Sequence, residues 1–204
     1  MDEIVLRAMQ KWPNVPNVFG WLKLDRRGNW LVKSRQSRDG APIFERISNA
    51  AVVDFIARNY ERDAGGRWFF QNGPQRVFVT LEYTPLVYRV CGDGESIETH
   101  TGLAPAAVRS AWIDDGGMLV LETDLGPGVV LDRDLSALLD RIVTASGAAS
   151  EETLAQLGSG ASLPPLALDL KDGRVPLGSI AAAELPGRFG FDPAPRPAPG
   201  EPDC

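Results

Sequence analysis

Residues 20–30 read Gly20-Trp21-Leu22-Lys23-Leu24-Asp25-Arg26-Arg27-Gly28-Asn29-Trp30, and that stretch decides the fold. It is a β-hairpin. The aspartate opens the turn by bonding its own backbone, the glycine takes the positive-φ position, and a large residue starts the returning strand on the core face. The same spacing recurs at Asp63/Gly66/Trp68 and at Asp114/Gly117/Leu119. The intervals between the three turns are irregular, so they do not mark a solenoid array. They predict two related helix-plus-sheet units.

Working outward from the first hairpin, Ile4, Val5, Ala8 and Met9 share one face of a helix over 2–11, with Asp2 and Glu3 suited to its first turn. Ser48 is placed to cap a second helix over 49–60, where Val52, Val53, Phe55, Ile56 and Tyr60 recur at helical spacing. Arg76–Tyr83 is rich in β-branched and aromatic residues, as a strand is, and 86–91 resumes after Pro85. Further along, 112–114 with 118–123 form a hairpin, 129–131 a short strand, and 135–143 a helix capped by Asp132 or Asp134. The Ala-, Gly- and Ser-rich stretch 144–162 reads as a mobile connection with a short helix near 151–157. A last hairpin joins 166–170 to 175–180 through Asp172-Gly173. The expected fold is α+β: two small lobes of antiparallel hairpins, 1–92 and 93–187, each packed with a helix, then a flexible Pro-rich tail over 188–204.

The composition is that of an ordinary globular chain, 44% hydrophobic and 24% charged. No apolar run reaches the ~20 residues of a spanning helix, and the first residues are acidic where a secretory signal is basic. A cytoplasmic protein without membrane contact is expected. The net charge of −6 is unevenly spread, residues 1–90 carrying +5 and the rest −11. That balance disfavours nucleic acid as a partner but leaves room for a basic patch in the first half.

The residue types that carry chemistry are sparse. His100 is the only histidine and has no nucleophile motif beside it; Cys91 and Cys204 are the only cysteines. That set makes neither a zinc site nor a disulfide framework, and no catalytic residue, metal site or cofactor is assigned. Gly126-Pro127-Gly128 and Gly158-Ser159-Gly160 lack the lysine and the strand–loop–helix context of a phosphate loop. Lys23, Arg26, Arg27, Lys33, Arg35 and Arg38, interleaved with Trp30 and close to Trp21, form the candidate basic patch. It would suit a phosphorylated partner or a single strand, against the alternative of a hairpin edge charged to prevent pairing. Arg76, Tyr83 and Tyr88 are the candidates for lining a groove that takes a small molecule or peptide.

The order of segments resembles a proteobacterial family of unknown function. The resemblance runs from Gly28-Asn29-Trp30 through the helix 49–60, Asp63–Trp68, the strands of 76–91 around Thr84-Pro85-Leu86, and the helix 135–143. It implies a two-part fold of repeated helix-and-sheet motifs and a role in signal transduction, and it carries no functional residue over. The expected function is a non-enzymatic module binding an unidentified small molecule or protein in signalling or regulation. The alternatives are an enzyme using carboxylate chemistry and a nucleic-acid or partner binder acting through 23–38.

Overall fold

A computed structural model describes residues 1–157 and 164–201. The chain divides into two compact units, Met1–Pro85 together with Gly190–Cys204, and Leu86–Phe189. The first division falls at Pro85, seven residues before the expected one, because the strand after Pro85 pairs within the second unit.

In unit 1 the elements are α1 (Glu3–Lys11), β1 (Val18–Leu24), β2 (Trp30–Gln36), β3 (Pro42–Arg46), α2 (Ala50–Arg58), β4 (Tyr60–Arg62), β5 (Trp68–Asn72) and β6 (Gln75–Leu81). They form one six-stranded sheet in the order β3-β2-β1-β6-β5-β4. Two antiparallel meanders thus lie side by side, joined down the middle by the parallel pair β1–β6. Leu22, Leu24, Val79, Leu81 and Phe70 are buried, and Phe55 of α2 meets Phe70 edge-on at 5.5 Å. Asn49, rather than the expected Ser48, caps α2, its Oδ1 accepting from the Val52 N–H at 3.2 Å. Asn59, completely buried, ties three elements together. Its Oδ1 accepts from Asp2 N–H, its Nδ2 donates to the Phe55 carbonyl, and its own carbonyl accepts from Gln71 N–H.

In unit 2 the elements are β7 (Leu86–Val90), β8 (Ile97–Thr99), β9 (Val108–Asp114), β10 (Leu119–Thr123), β11 (Pro127–Val130), α3 (Asp132–Leu139), β12 (Ile142–Thr144), β13 (Gly147–Ala148), α4 (Glu151–Ala155), β14 (Leu166–Leu170), β15 (Gly173–Ile180) and α5 (Leu185–Phe189). Its sheet runs β13-β12-β14-β15-β9-β10-β11-β7-β8. Stripped of β13 and of the β7–β8 hairpin, this is the topology of unit 1. A three-strand meander, a helix and a second meander are closed by a parallel pair, here β9–β15. The two related units expected from the repeated turns are therefore present, and the fold is α+β. Leu119, Val120 and Leu121 are consecutive and all fully buried, so β10 is covered on both faces.

The repeated turns explain why the meanders form. Asp25, Asp63 and Asp114 each accept two backbone N–H groups through Oδ1, from residues two and four further on, at 2.7–2.9 Å. Gly28, Gly66 and Gly117 sit at φ near +78°, where a Cβ is disfavoured. Trp30, Trp68 and Leu119 start the returning strands and are buried. Two further turns follow the same backbone path with a hydroxyl residue in place of aspartate, Ser37/Gly40 and Thr99/Gly102. With serine or threonine in the first position, neither carries the Asp-x-x-Gly signature.

Three expectations are corrected. The helix expected over 135–143 starts at Asp132 and ends at Leu139, and Ile142 and Val143 belong to β12. Within 144–162, β13 and α4 are ordered elements, whereas 158–162 lies outside the described residues. The segment expected to be a flexible tail is bonded into unit 1 over Gly190–Glu201: Phe191 is buried, Asp192 N–H donates to the Gly66 carbonyl, and Leu81 N–H donates to the Pro193 carbonyl. The sequence showed only its scarcity of apolar residues, and backbone hydrogen bonds leave no trace in composition.

Candidate functional site

The residues expected to line a groove do not converge. Tyr88 is 0% exposed, its hydroxyl 2.6 Å from Thr123 Oγ1 and donating to the Gly126 carbonyl at 3.0 Å. Burial raises its pKa. It is a core residue of unit 2 and lines no groove. Arg76 and Tyr83 are half-buried in unit 1, where the Arg76 guanidinium covers the Phe69 ring at 4.6 Å and Arg26 covers Tyr83 at 5.1 Å.

The basic segment is partly neutralised. Lys23 and Arg26 reach the two carboxylate oxygens of Glu82 at 3.2 and 3.8 Å. Lys33 lies 5.3 Å from the Trp21 ring centre, and Trp21 is 48% exposed. Arg27, Arg35 and Arg38 are exposed. Lys23 lies on β1, Lys33 and Arg35 on β2, and Arg27 and Arg38 in the turns at either end of β2. The six are thus distributed over a hairpin and the turn that follows it.

The site that the geometry does assemble lies in unit 2. In strand order, the β7–β8 turn and the β14–β15 turn belong to strands far apart in the sheet, yet Lys171 Nζ stands 3.5 Å from Glu95 Oε2. Arg141 adds a hydrogen bond to the Gly94 carbonyl. The sheet therefore curls until these turns meet, leaving a cleft of about 540 Å³ between them. Its floor is the segment leading into β9, Ala104–Val108, and its walls are Glu95–Ile97 and Leu170–Val175. The volume is in the range of small-molecule sites.

The local sequence accounts for each wall. Asp93 accepts from the N–H groups of Glu95 and Ser96 and from the Ser96 hydroxyl, which fixes the β7–β8 turn. These bonds lower the Asp93 pKa to about 2, the Ser96 hydroxyl contributing most. On the opposite wall Lys171-Asp172-Gly173 makes the tight return from β14 to β15, with Gly173 at φ +128°. Pro105 interrupts backbone pairing in the floor, and the Ala107 N–H finds Asp124 Oδ1 at 3.0 Å. The result is an apolar floor of alanine, proline and valine between two charged rims. Arg174 faces Asp169 at 3.4 Å, so both signs of charge are present in exposed side chains able to change partner.

The candidate site residues read from the sequence are not among the residues that line this cleft, although its Asp172-Gly173 turn is one the sequence predicts. The signal that could have found it is the run Ala104-Pro105-Ala106-Ala107, small residues between two strands, which leave space instead of filling it. His100 lies on the neighbouring turn, half-buried, its Nδ1 accepting from Val87 N–H at 3.3 Å. Among the described residues no three His, Cys, Asp or Glu side chains are grouped to hold a metal ion, and no helix is long and apolar enough to cross a membrane.

The fold and cleft define a class: a duplicated α+β protein whose second sheet curls into an open cleft. The chain belongs to the DUF2944 family, whose model, described as "Protein of unknown function (DUF2946)", matches residues 1–196. Membership in a family of unknown function is what the resemblance implied. Among solved structures the chain is similar to a DUF1285 family protein from Silicibacter pomeroyi DSS-3, with 17% identity and a TM-score of 0.49 over 87% of this chain and 95% of that one. It is also similar to a DUF1285 family protein from Shewanella baltica OS155, with 15% identity and a TM-score of 0.36 over 55% of this chain and 84% of that one. No curated protein matches.

Proposed function

We propose that the protein is a non-enzymatic binding module of the cytoplasm, acting in signalling or regulation, and that the unit 2 cleft is where its ligand binds. The observation that carries this reading is the pairing of an apolar floor with rims of both charges, Glu95 and Asp172 against Lys171 and Arg174. A small zwitterionic or amphipathic molecule, such as an amino acid derivative or a short peptide, matches that pattern. Its apolar part would cover the alanines, and its charged ends would draw the rim side chains from their solvent-exposed partners at little cost. Ser96, the only hydroxyl residue on the cleft walls among the described residues, is held by Asp93, which suits a structural role better than a nucleophilic one.

The test is a thermal-shift and NMR screen of the full chain against amino acids, dipeptides and small zwitterions, repeated on Ala106→Trp. Ala106 is exposed on the cleft floor, so an indole there fills the space with little effect on the core. Ligands that bind the wild type and are lost in Ala106→Trp support the reading. Ligands that bind both chains equally contradict it.

A further inference from the structure

The chain returns to unit 1 as a proline-rich stretch, Asp192-Pro193-Ala194-Pro195-Arg196-Pro197-Ala198-Pro199-Gly200-Glu201. Its two halves are held differently. The first is part of the fold, with Asp192 alongside Arg67 as a parallel bridge, the Pro193 carbonyl on Leu81 N–H at 2.8 Å, and Pro195 buried. Beyond Pro195 every residue from Arg196 to Gly200 is exposed. At its far end this outer loop is bonded to the body through the carboxylate of Glu201.

That carboxylate sits in a cradle. Arg67 Nη1 donates to Oε2 at 2.7 Å and Nη2 to Oε1 at 3.2 Å, while Asn17 Nδ2 donates to Oε1 at 2.8 Å. The Ala198 N–H, from the loop itself, donates to Oε2 at 2.9 Å. The hydrogen bond from Arg67 is the main cause lowering the Glu201 pKa. The cradle is also oriented by groups other than Glu201. Asp63 Oδ2 accepts from Arg67 Nε at 2.8 Å, and the guanidinium lies 4.4 Å from the Phe78 ring centre, itself stacked on Phe19 at 4.5 Å. A pre-oriented, two-toothed guanidinium with an amide beside it is how proteins recognise carboxylates. Five exposed residues, Arg196–Gly200, separate the buried Pro195 from this carboxylate.

We propose that Arg67 and Asn17 form a carboxylate-recognition site for a proline-rich segment of another protein that carries a glutamate, which the chain's own Glu201 occupies as a displaceable competitor. The chemistry of the partner is read from the occupant: prolines that keep the backbone extended at low entropic cost, followed by a glutamate. The tethered competitor acts at an effective concentration in the millimolar range, so an incoming segment succeeds only when it is abundant or adds contacts of its own. This site is separate from the unit 2 cleft and does not depend on it.

The experiment uses the full chain and a synthetic peptide of the sequence of residues 194–201, acetylated and amidated so that glutamate is its only carboxylate. Fluorescence anisotropy and NMR shifts on Glu201→Gln, which frees the cradle of its charged occupant, should show binding about tenfold tighter than to the wild type. Adding Asn17→Asp, whose charge opposes the ligand at a half-exposed position, should abolish it. A peptide with glutamine at its last position should not bind. No binding to Glu201→Gln in a chain whose melting shows it folded would overturn the proposal, as would equal binding of the glutamine peptide. Free glutarate binding as tightly as the peptide would overturn the protein segment as ligand. Concentration-dependent dimerisation of the wild type, abolished by Glu201→Gln, would overturn the foreign partner in favour of a second copy.

Discussion

At the scale of single residues the turns carry most of the specification. Asp25 and Asp114 make the same two backbone bonds, but Asp25 is partly exposed whereas Asp114 is buried. Removing the side chain from a buried turn strands the N–H groups it satisfied. Asp114→Ala should therefore cost about 2–3 kcal/mol and Asp25→Ala about 1 kcal/mol, which denaturant titration will resolve. The glycines differ in a related way. A Cβ on Gly117 meets open space, so Gly117→Ala carries only the left-handed penalty of about 1–2 kcal/mol. A Cβ on Gly66 would lie 2.1 Å from the Gly190 carbonyl oxygen, so Gly66→Ala should release the C-terminal segment as well. A bonded carboxylate resists protonation, and its contribution to stability is lost only once acid reaches it. The Asp93 pKa lies below its unfolded value near 3.8, so its contribution is complete above pH ~4 and is lost as pH falls toward 2. Protection of the Glu95 and Ser96 amides, relative to their intrinsic exchange rates, should fall in that window, and in Asp93→Asn it should no longer depend on pH there. The three Asp-x-x-Gly turns were legible because one residue pattern forces one geometry. Tyr88 was misplaced because a strand tyrosine reads the same whether its hydroxyl faces a groove or a buried threonine.

At the scale of elements, strands bounded by turn chemistry were legible and helix ends were not. Leu135, Leu138, Leu139, Ile142 and Val143 continue one apolar face across the end of α3 into β12, so periodicity alone sets the helix over 135–143 and does not register its end at Leu139. The parallel joins β1–β6 and β9–β15 had no sequence signal, since strands far apart in sequence share no turn. The C-terminal segment is the sharpest revision. Deleting residues 190–204 removes buried Phe191, the partners of Leu81 N–H and Gly66 carbonyl, and the Glu201 ion pair. The melting temperature should fall by about 5 °C or more, given 2–4 °C for each kcal/mol in a chain of this length and ~2 kcal/mol for one buried aromatic alone. A change within 1 °C would show that the segment is dispensable.

For the molecule as a whole, the two units share one topology, and unit 2 departs from it where the cleft lies. The C-terminal segment is bonded to Leu81 and Gly66 of unit 1, so a fragment of residues 1–85 should be poorly ordered and should gain cooperative melting when a peptide of residues 190–204 is added. Unit 2 adds the β7–β8 hairpin to the same repeat, and the curl that brings this hairpin to the β14–β15 turn creates the cleft. The sequence showed the repeat but not the curl, because curvature accumulates over nine strands and no single residue encodes it. The most direct test of the account is an amide NMR titration of the full chain with the best zwitterionic ligand from the screen. Ligand bound in the cleft should shift Glu95, Ile97, Val108 and Arg174, and those shifts should vanish in Ala106→Trp. Shifts confined to residues outside the cleft, or surviving the tryptophan, would contradict it.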